Sequence, residues 1–180
     1  NDMNGVSAAY NSYMDRYHAI PGDETAAVMT ARGWLGTAGA VGATANNGVL
    51  NVAPGAAFTN AGEQAALWRA LRGSLLTTGD PAAPAGVAGL PRSGTGGLIG
   101  VATGVYGMPG PAVCVSGLTT KQAAGVDATI DGAGAANNTG NARGATSAAN
   151  PLAPAAAAPG AATPYNETAT VTTWTMCRTL

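Results

Sequence analysis

The chain has 180 residues and a sparse, balanced charge, 8 Lys+Arg against 9 Asp+Glu. That balance leaves no electrostatic footprint for nucleic acid or an anionic membrane, so no nucleic-acid partner is expected. The length suits one core within a single domain spanning 1–180. The 27 Gly and 11 Pro beside one Phe point to a modest core under a neutral, loop-rich surface.

The first apolar positions are Met3, Val6, Tyr10, Tyr13, Tyr17 and Ile20, whose spacing alternates between three and four residues. That spacing predicts one buried helical face over residues 1–20. Asn1 or Asp2 offers a cap, but the stripe is already running at Met3. Residues 1–20 are therefore expected to be the C-terminal half of a longer helix whose upstream part has been removed. Pro21, which disfavours helical geometry at Ile20, and Gly22, which lets the chain turn, are read as the helix stop.

A short helix is expected over 25–32, then a Gly- and Asn-rich loop. "NAGE" (60–63) resembles a capping box, with Asn60 as cap and Glu63 three residues on. The helix it opens is expected to bury Leu67, Ala70, Leu71 and Leu75, with Trp68 beside that stripe and Gly79 after its end. A Pro/Gly-rich crossover fills 79–97. Residues 97–107 and 111–117 are short, β-branched and bounded by Gly and Pro, which predicts two strands joined by a turn at "GMPG". Thr119 caps a helix over 119–131 with Ala123, Val126 and Ile130 on one side, and "DG" ends it.

The Pro- and Ala-rich stretch 149–164 is read as an irregular surface segment. The closing "ATVTTWTMCRTL" (169–180) is the most strand-like run. In it Val171, Thr173, Thr175 and Cys177 face one way, Thr172, Trp174, Met176 and Arg178 the other. Helices come early and strands late, which favours an α+β fold.

Cys114 and Cys177 are the only thiols. They lack the CxxC spacing of a zinc or redox site, so a single disulfide in an oxidising compartment is the simplest reading. Two buried free cysteines are the alternative. No apolar run reaches the about 18 residues of a membrane span.

His18, the only histidine, falls off the buried stripe and reads as a solvated or rim residue. The serines sit in no GxSxG elbow, and "GTGG" (94–97) is not followed by Gly-Lys-Ser/Thr. The chain is accordingly read as a non-enzyme without a cofactor. Asp127 and Asp131, with "DGAG" following, suit either a calcium site built with loop carbonyls or an ordinary helix end.

In order along the chain, "YMDRYHAIPGD" (13–23), "LWRALRGSLLTTG" (67–79), "GTGGLIGV" (94–101), "VCVSGLTTKQAAGVDATIDG" (113–132) and "YNETATVTTWTMCRTL" (165–180) make up a pattern. It resembles the globular region of a bacterial type IV pilin or pilin-like protein. An aromatic residue three positions before an apolar-Pro-Gly-Asp helix end is similar to many prepilin-type sequences, and so is a cysteine pair bounding the C-terminal part.

The resemblance implies a pilin-like fold, with an N-terminal helix packed on an antiparallel sheet through Val6, Tyr10, Tyr13, Tyr17 and Ile20. Additional short helices and a disulfide-bounded region over 114–177 complete it. An apolar upstream half-helix would anchor the subunit in the inner membrane before assembly and pack in the filament core afterwards. The start "NDMNG" is polar, and neither that apolar run nor the family's glutamate near the mature N-terminus is present.

The implied partners are identical or related pilin subunits in an extracellular filament, inner-membrane assembly machinery, and a surface receptor or phage. The implied function is a pilus subunit in adhesion, motility or uptake. A minor or tip pilin acting as a binding module and a type II secretion pseudopilin are the alternatives, and a bound calcium would favour the last. "NNT" (137–139) and "NET" (166–168) match the N-glycosylation acceptor pattern, which carries no weight in a bacterial protein.

Overall fold

The computed structural model describes residues 2–34, 46–132, 134, 136–160, 165 and 173–180. The elements in chain order are α1 (Asp2–Tyr17), α2 (Ala26–Ala31), α3 (Gly62–Gly73), β1 (Ile99–Thr103), β2 (Pro111–Leu118), α4 (Thr120–Ile130), β3 (Ala142–Ser147) and β4 (Thr173–Thr179). The fold is α+β, with one antiparallel sheet in the order β1-β2-β4-β3. Among the described residues no helix is long and apolar enough to cross a membrane. Asn1, Val171, Thr172 and residues 166–168 lie outside the described residues.

Met3, Val6, Tyr10 and Tyr13 of α1 are buried, while Tyr17 and Ile20 are half-buried against the same core. The helix ends earlier than Pro21 suggests. His18 takes a left-handed φ of 52°, and its N–H closes on the Met14 carbonyl at 2.8 Å. Pro21 and Gly22 form the turn that follows. The Asp23 N–H bonds the Ile20 carbonyl at 3.1 Å, with Gly22 at φ 97°, the geometry that asks for proline and then glycine at the two central positions. Gly22 is also a close approach, since a Cβ there would lie 2.6 Å from the Glu63 carbonyl oxygen.

Thr25 caps α2 by accepting the Val28 N–H, and Thr119 and Gln122 form a complete capping box on α4. The expected box on α3 is not made. Asn60 sits at φ 50° with its amide turned to the carbonyls of Pro84 and Gly86, and Glu63 instead accepts from the Asn51 N–H. Buried apolar neighbours on most sides, not a cap, hold α3: Leu67, Trp68, Ala70 and Leu71 are all buried.

The end of α3 also departs from the stripe. Leu75 and Leu76 donate to the carbonyls of Arg72 and Leu71, both at 3.0 Å. This pair of bonds is a Schellman motif, with Leu75 at the left-handed position that glycine ordinarily fills. Leu75 is therefore outside the helix and exposed. Gly79 lies against the Arg72 guanidinium.

Residues opposite each other on paired strands share a face. Gly100, Cys114, Cys177 and Arg143 form one row across all four strands, and Val101, Val113, Arg178 and Ala142 form the next. The Cys114–Cys177 disulfide thus joins directly opposed residues on the two central strands. Thr175 and Cys177 share one face of β4 and Trp174 and Met176 the other. All four are buried, because each face of the sheet is covered.

Helices cover the Val113–Arg178 face: α1 packs on β2, with Asn4 accepting from Arg178, and α4 packs on β4, with Thr120 accepting from the Trp174 indole at 3.2 Å. Irregular chain covers the disulfide face. A Cβ on Gly100 would sit 1.8 Å from the Ala57 carbonyl oxygen. Thr175 Oγ1 donates to the Leu152 carbonyl, while Tyr106 and Gly107 N–H groups reach Ala155 and Ala156. The stretch 149–160 is irregular, yet it packs on the sheet. Gly100→Ala is expected to cost about 2 kcal/mol through overpacking. Thermal denaturation checks this, and an unchanged melting curve contradicts the close packing.

Several outward backbone groups of both edge strands are engaged from within the chain. On β1, Ile99 N–H bonds Pro91 O at 2.9 Å, Thr103 N–H bonds Val52 O at 2.7 Å, and Gln64 Nε2 donates to Val101 O at 2.8 Å. On β3, Ala142 N–H reaches Asp131 at 2.7 Å, and Gly144 exchanges two bonds of 2.8 Å with Asn137.

Candidate functional site

Three places gather polar or partly covered apolar side chains. The first is the junction at the end of α1. Tyr13 donates its hydroxyl hydrogen to Glu24, and Arg32 Nη1 donates to the Tyr13 hydroxyl at 2.7 Å and pairs with Glu24 at 2.6 Å. The Arg32 guanidinium also lies 4.5 Å from the Tyr17 ring centroid and 5.0 Å from that of Trp34. Burial first, then the Glu24 carboxylate, raises the Tyr13 pKa, so the hydroxyl keeps its proton and the bond to Glu24 persists. This arrangement positions rather than reacts. It ties α1, α2 and, through Trp34 against Gly73, the end of α3.

Beside it, a hollow of about 300 Å³ is lined by His18, Asp23 and Glu24 among others. His18 is exposed at its edge. Asp23 is committed to structure, accepting the N–H groups of Asn46, Asn47 and Gly48 at 2.8, 3.1 and 2.8 Å.

The second place holds the two aspartates considered for calcium. Both Asp131 oxygens are taken by backbone, from Asn141 at 2.9 Å and Ala142 at 2.7 Å. Asp127 is buried and shares a hydrogen bond with the Tyr165 hydroxyl. Among the described residues no three His, Cys, Asp or Glu side chains converge as metal ligands. Burial, with the nearby Asp131 charge behind it, raises the Asp127 pKa above its ordinary value.

The folded chain therefore holds that proton more tightly than the unfolded chain does. The stabilisation is complete below the unfolded pKa and is lost as pH rises toward the folded one. Asp127→Asn lacks this dependence, so the variant should gain on the wild type as pH rises from about 3 through the ordinary aspartate value of about 3.9 and above it. Melting temperatures of both proteins across that range test it, and a pH-independent difference rejects it. Asn137, the first acceptor-pattern asparagine, is buried with its amide on the Gly144 carbonyl, which leaves it shielded from modification.

The third place, which sequence reasoning missed, is a groove of about 320 Å³ between the start of α1 and α4. Met3, Val115, Leu118, Val126 and Ile130 make it apolar, and Asp2, Asn4, Ser93, Thr95, Gln122 and Thr129 contribute polar groups. Asp2 is already bonded to the Gly94 N–H at 2.8 Å. The groove can hold an apolar side chain with polar groups around it. Val126 and Ile130, expected on one side of α4 with Ala123, are buried only in part and line this groove. Comparison of the chain with protein-family models, curated proteins and solved structures found no match.

Proposed function

We propose that this chain is a structural, non-catalytic subunit of a type IV pilus-like filament. In this reading it is anchored in the inner membrane before assembly, by an apolar helix continuous with α1, and extracellular afterwards. The observation that carries the reading is the joint arrangement of α1 and the disulfide. An amphipathic helix crosses β2 of an antiparallel sheet, and the disulfide fastens the last strand to that same β2. A subunit pulled through its helix transmits force directly to β2, and the cross-strand bond keeps β4 attached there. The pilin-like sequence pattern supports the same assignment.

Immunogold electron microscopy on cells expressing the intact gene from its own locus tests it. Label along the length of surface filaments is the expected result. Label confined to filament ends moves the assignment to a minor or tip pilin, and label restricted to the envelope at secretion complexes moves it to a pseudopilin. Absence of label from every filament and envelope assembly overturns the reading.

A further inference from the structure

Asparagine precedes glycine twice in this chain, at Asn4–Gly5 and at Asn47–Gly48. In such a pair the glycine nitrogen can attack the asparagine side-chain amide, because no Cβ crowds its approach. Asn4 lies within α1, where side chains lean toward the helix N-terminus and away from the following nitrogen. Asn47 and Gly48 lie in an exposed segment outside every helix and strand.

Two contacts act on Asn47–Gly48 in opposite senses. The Val49 N–H donates to Asn47 Oδ1 at 2.9 Å. That bond closes a ring containing both the side-chain carbonyl carbon and the Gly48 nitrogen, and it polarises the carbonyl that would be attacked. Asp23 opposes the attack. Its buried carboxylate accepts the N–H groups of Asn46 and Asn47 on Oδ1 and that of Gly48 on Oδ2. Successive N–H groups converge on one anion only in a folded nest, which Asn46 at φ 69° and Gly48 at φ 79° help to build. Attack requires rotation about the Asn47 Cα–C bond, which carries the Gly48 nitrogen toward the side chain and off the carboxylate. The carbonyl is activated while the nitrogen is held. Asp23 is itself fixed, because its N–H closes the Pro21–Gly22 turn on the Ile20 carbonyl.

We propose that Asn47–Gly48 is a latent deamidation site that Asp23 locks. When the segment lets go of the carboxylate, the Gly48 nitrogen bonds to Asn47 Cγ and the Cγ–Nδ2 bond breaks. The Gly48 amide proton leaves with the side-chain nitrogen as ammonia. Water then opens the cyclic imide to aspartate or isoaspartate, so the reaction consumes no oxidant and no cofactor. The hollow lined by Asp23, Asn46 and Gly48 gives that water room at the site. A carboxylate then stands where a neutral amide stood beside Asp23, and repulsion between like charges keeps the segment from closing again. The change is one-way, it frees residues 46–48 from the turn that follows α1, and it does not depend on the filament reading.

The test holds the native full chain at neutral pH and quantifies aspartate and isoaspartate at positions 4 and 47 by peptide mass spectrometry. Hydrogen exchange of the Gly48 amide is followed by NMR on the same protein. In the wild type, Asn47 should react at least about tenfold more slowly than in the same chain unfolded in urea, by a factor matching the Gly48 protection, because one local opening governs both. Asp23→Asn, which removes the charged acceptor, should speed the reaction at Asn47 about tenfold and leave Asn4 unchanged.

A rate at Asn47 that stays level or falls in Asp23→Asn overturns the proposal, and a fall would make Asp23 a base that assists the attack. Modification of the native wild type faster than the exchange-measured opening allows overturns it as well. A rise at Asn4 and Asn47 together means that the substitution unfolds the chain, and the wild-type comparison then decides by itself.

Discussion

Replacing Cys177 by Ser is expected to lower stability by about 4 kcal/mol under non-reducing conditions, the chain-entropy value for closing a loop of this size. The two cysteines are 63 positions apart, and the loop they close contains α4, β3 and the irregular stretch that covers the sheet. Both are fully buried on the two central strands. Cutting the bond frees β4 at the very strand that α1 packs on. Cys114→Ser should match Cys177→Ser, and the double variant should be no worse than either, since one cross-link accounts for both losses. Denaturant unfolding of the three variants and of reduced wild type measures this. Unchanged midpoints would show that pairing and packing hold β4 unaided.

Tyr13→Ser should be of similar size, about 4 kcal/mol, because it removes a fully buried ring from between α1 and the core. The ring also carries the hydroxyl that bridges Glu24 and Arg32. Tyr13→Phe isolates that second contribution and should cost about 1–2 kcal/mol, leaving Glu24 one donor short while Arg32 still pairs with it. Thermal melts of both variants separate the two effects. If Ser and Phe cost the same, the ring contributes little. If neither moves the melting temperature, α1 does not depend on this face for its packing.

Much of this architecture was legible in the order of residues. The three-four spacing of Met3, Val6, Tyr10 and Tyr13 states the buried face of α1 directly, and Thr119 with Gln122 states the start of α4. The hairpin of β1 and β2 follows from β-branched runs bounded by glycine. What escaped has a common physical origin. Asn60 has the chemistry of a cap, but its amide is drawn to carbonyls more than twenty residues away, which no local pattern records. Leu75 continues a heptad-like stripe past the point where backbone hydrogen bonds have ended the helix. The stretch at 149–160 meets β4 and the turn after β1 through its own carbonyls, so its side chains advertise nothing. The α1–α4 groove is a void left by two helices on one face of a sheet, and a void has no residue of its own.

The engaged margins of the sheet bear on how such a chain survives crowding. A strand arriving from another molecule at β1 would have to displace the bonds from Pro91, Val52 and Gln64, and at the start of β3 those from Asp131 and Asn137. Each exchange trades one hydrogen bond, worth about 1 kcal/mol net, for another of the same kind, so the newcomer gains nothing to offset its lost freedom. Cross-β stacking is thus disfavoured at these positions without any need for repulsive charge, which this chain has little of. Edge-to-edge pairing between copies of this chain is therefore disfavoured at these positions even at high local concentration.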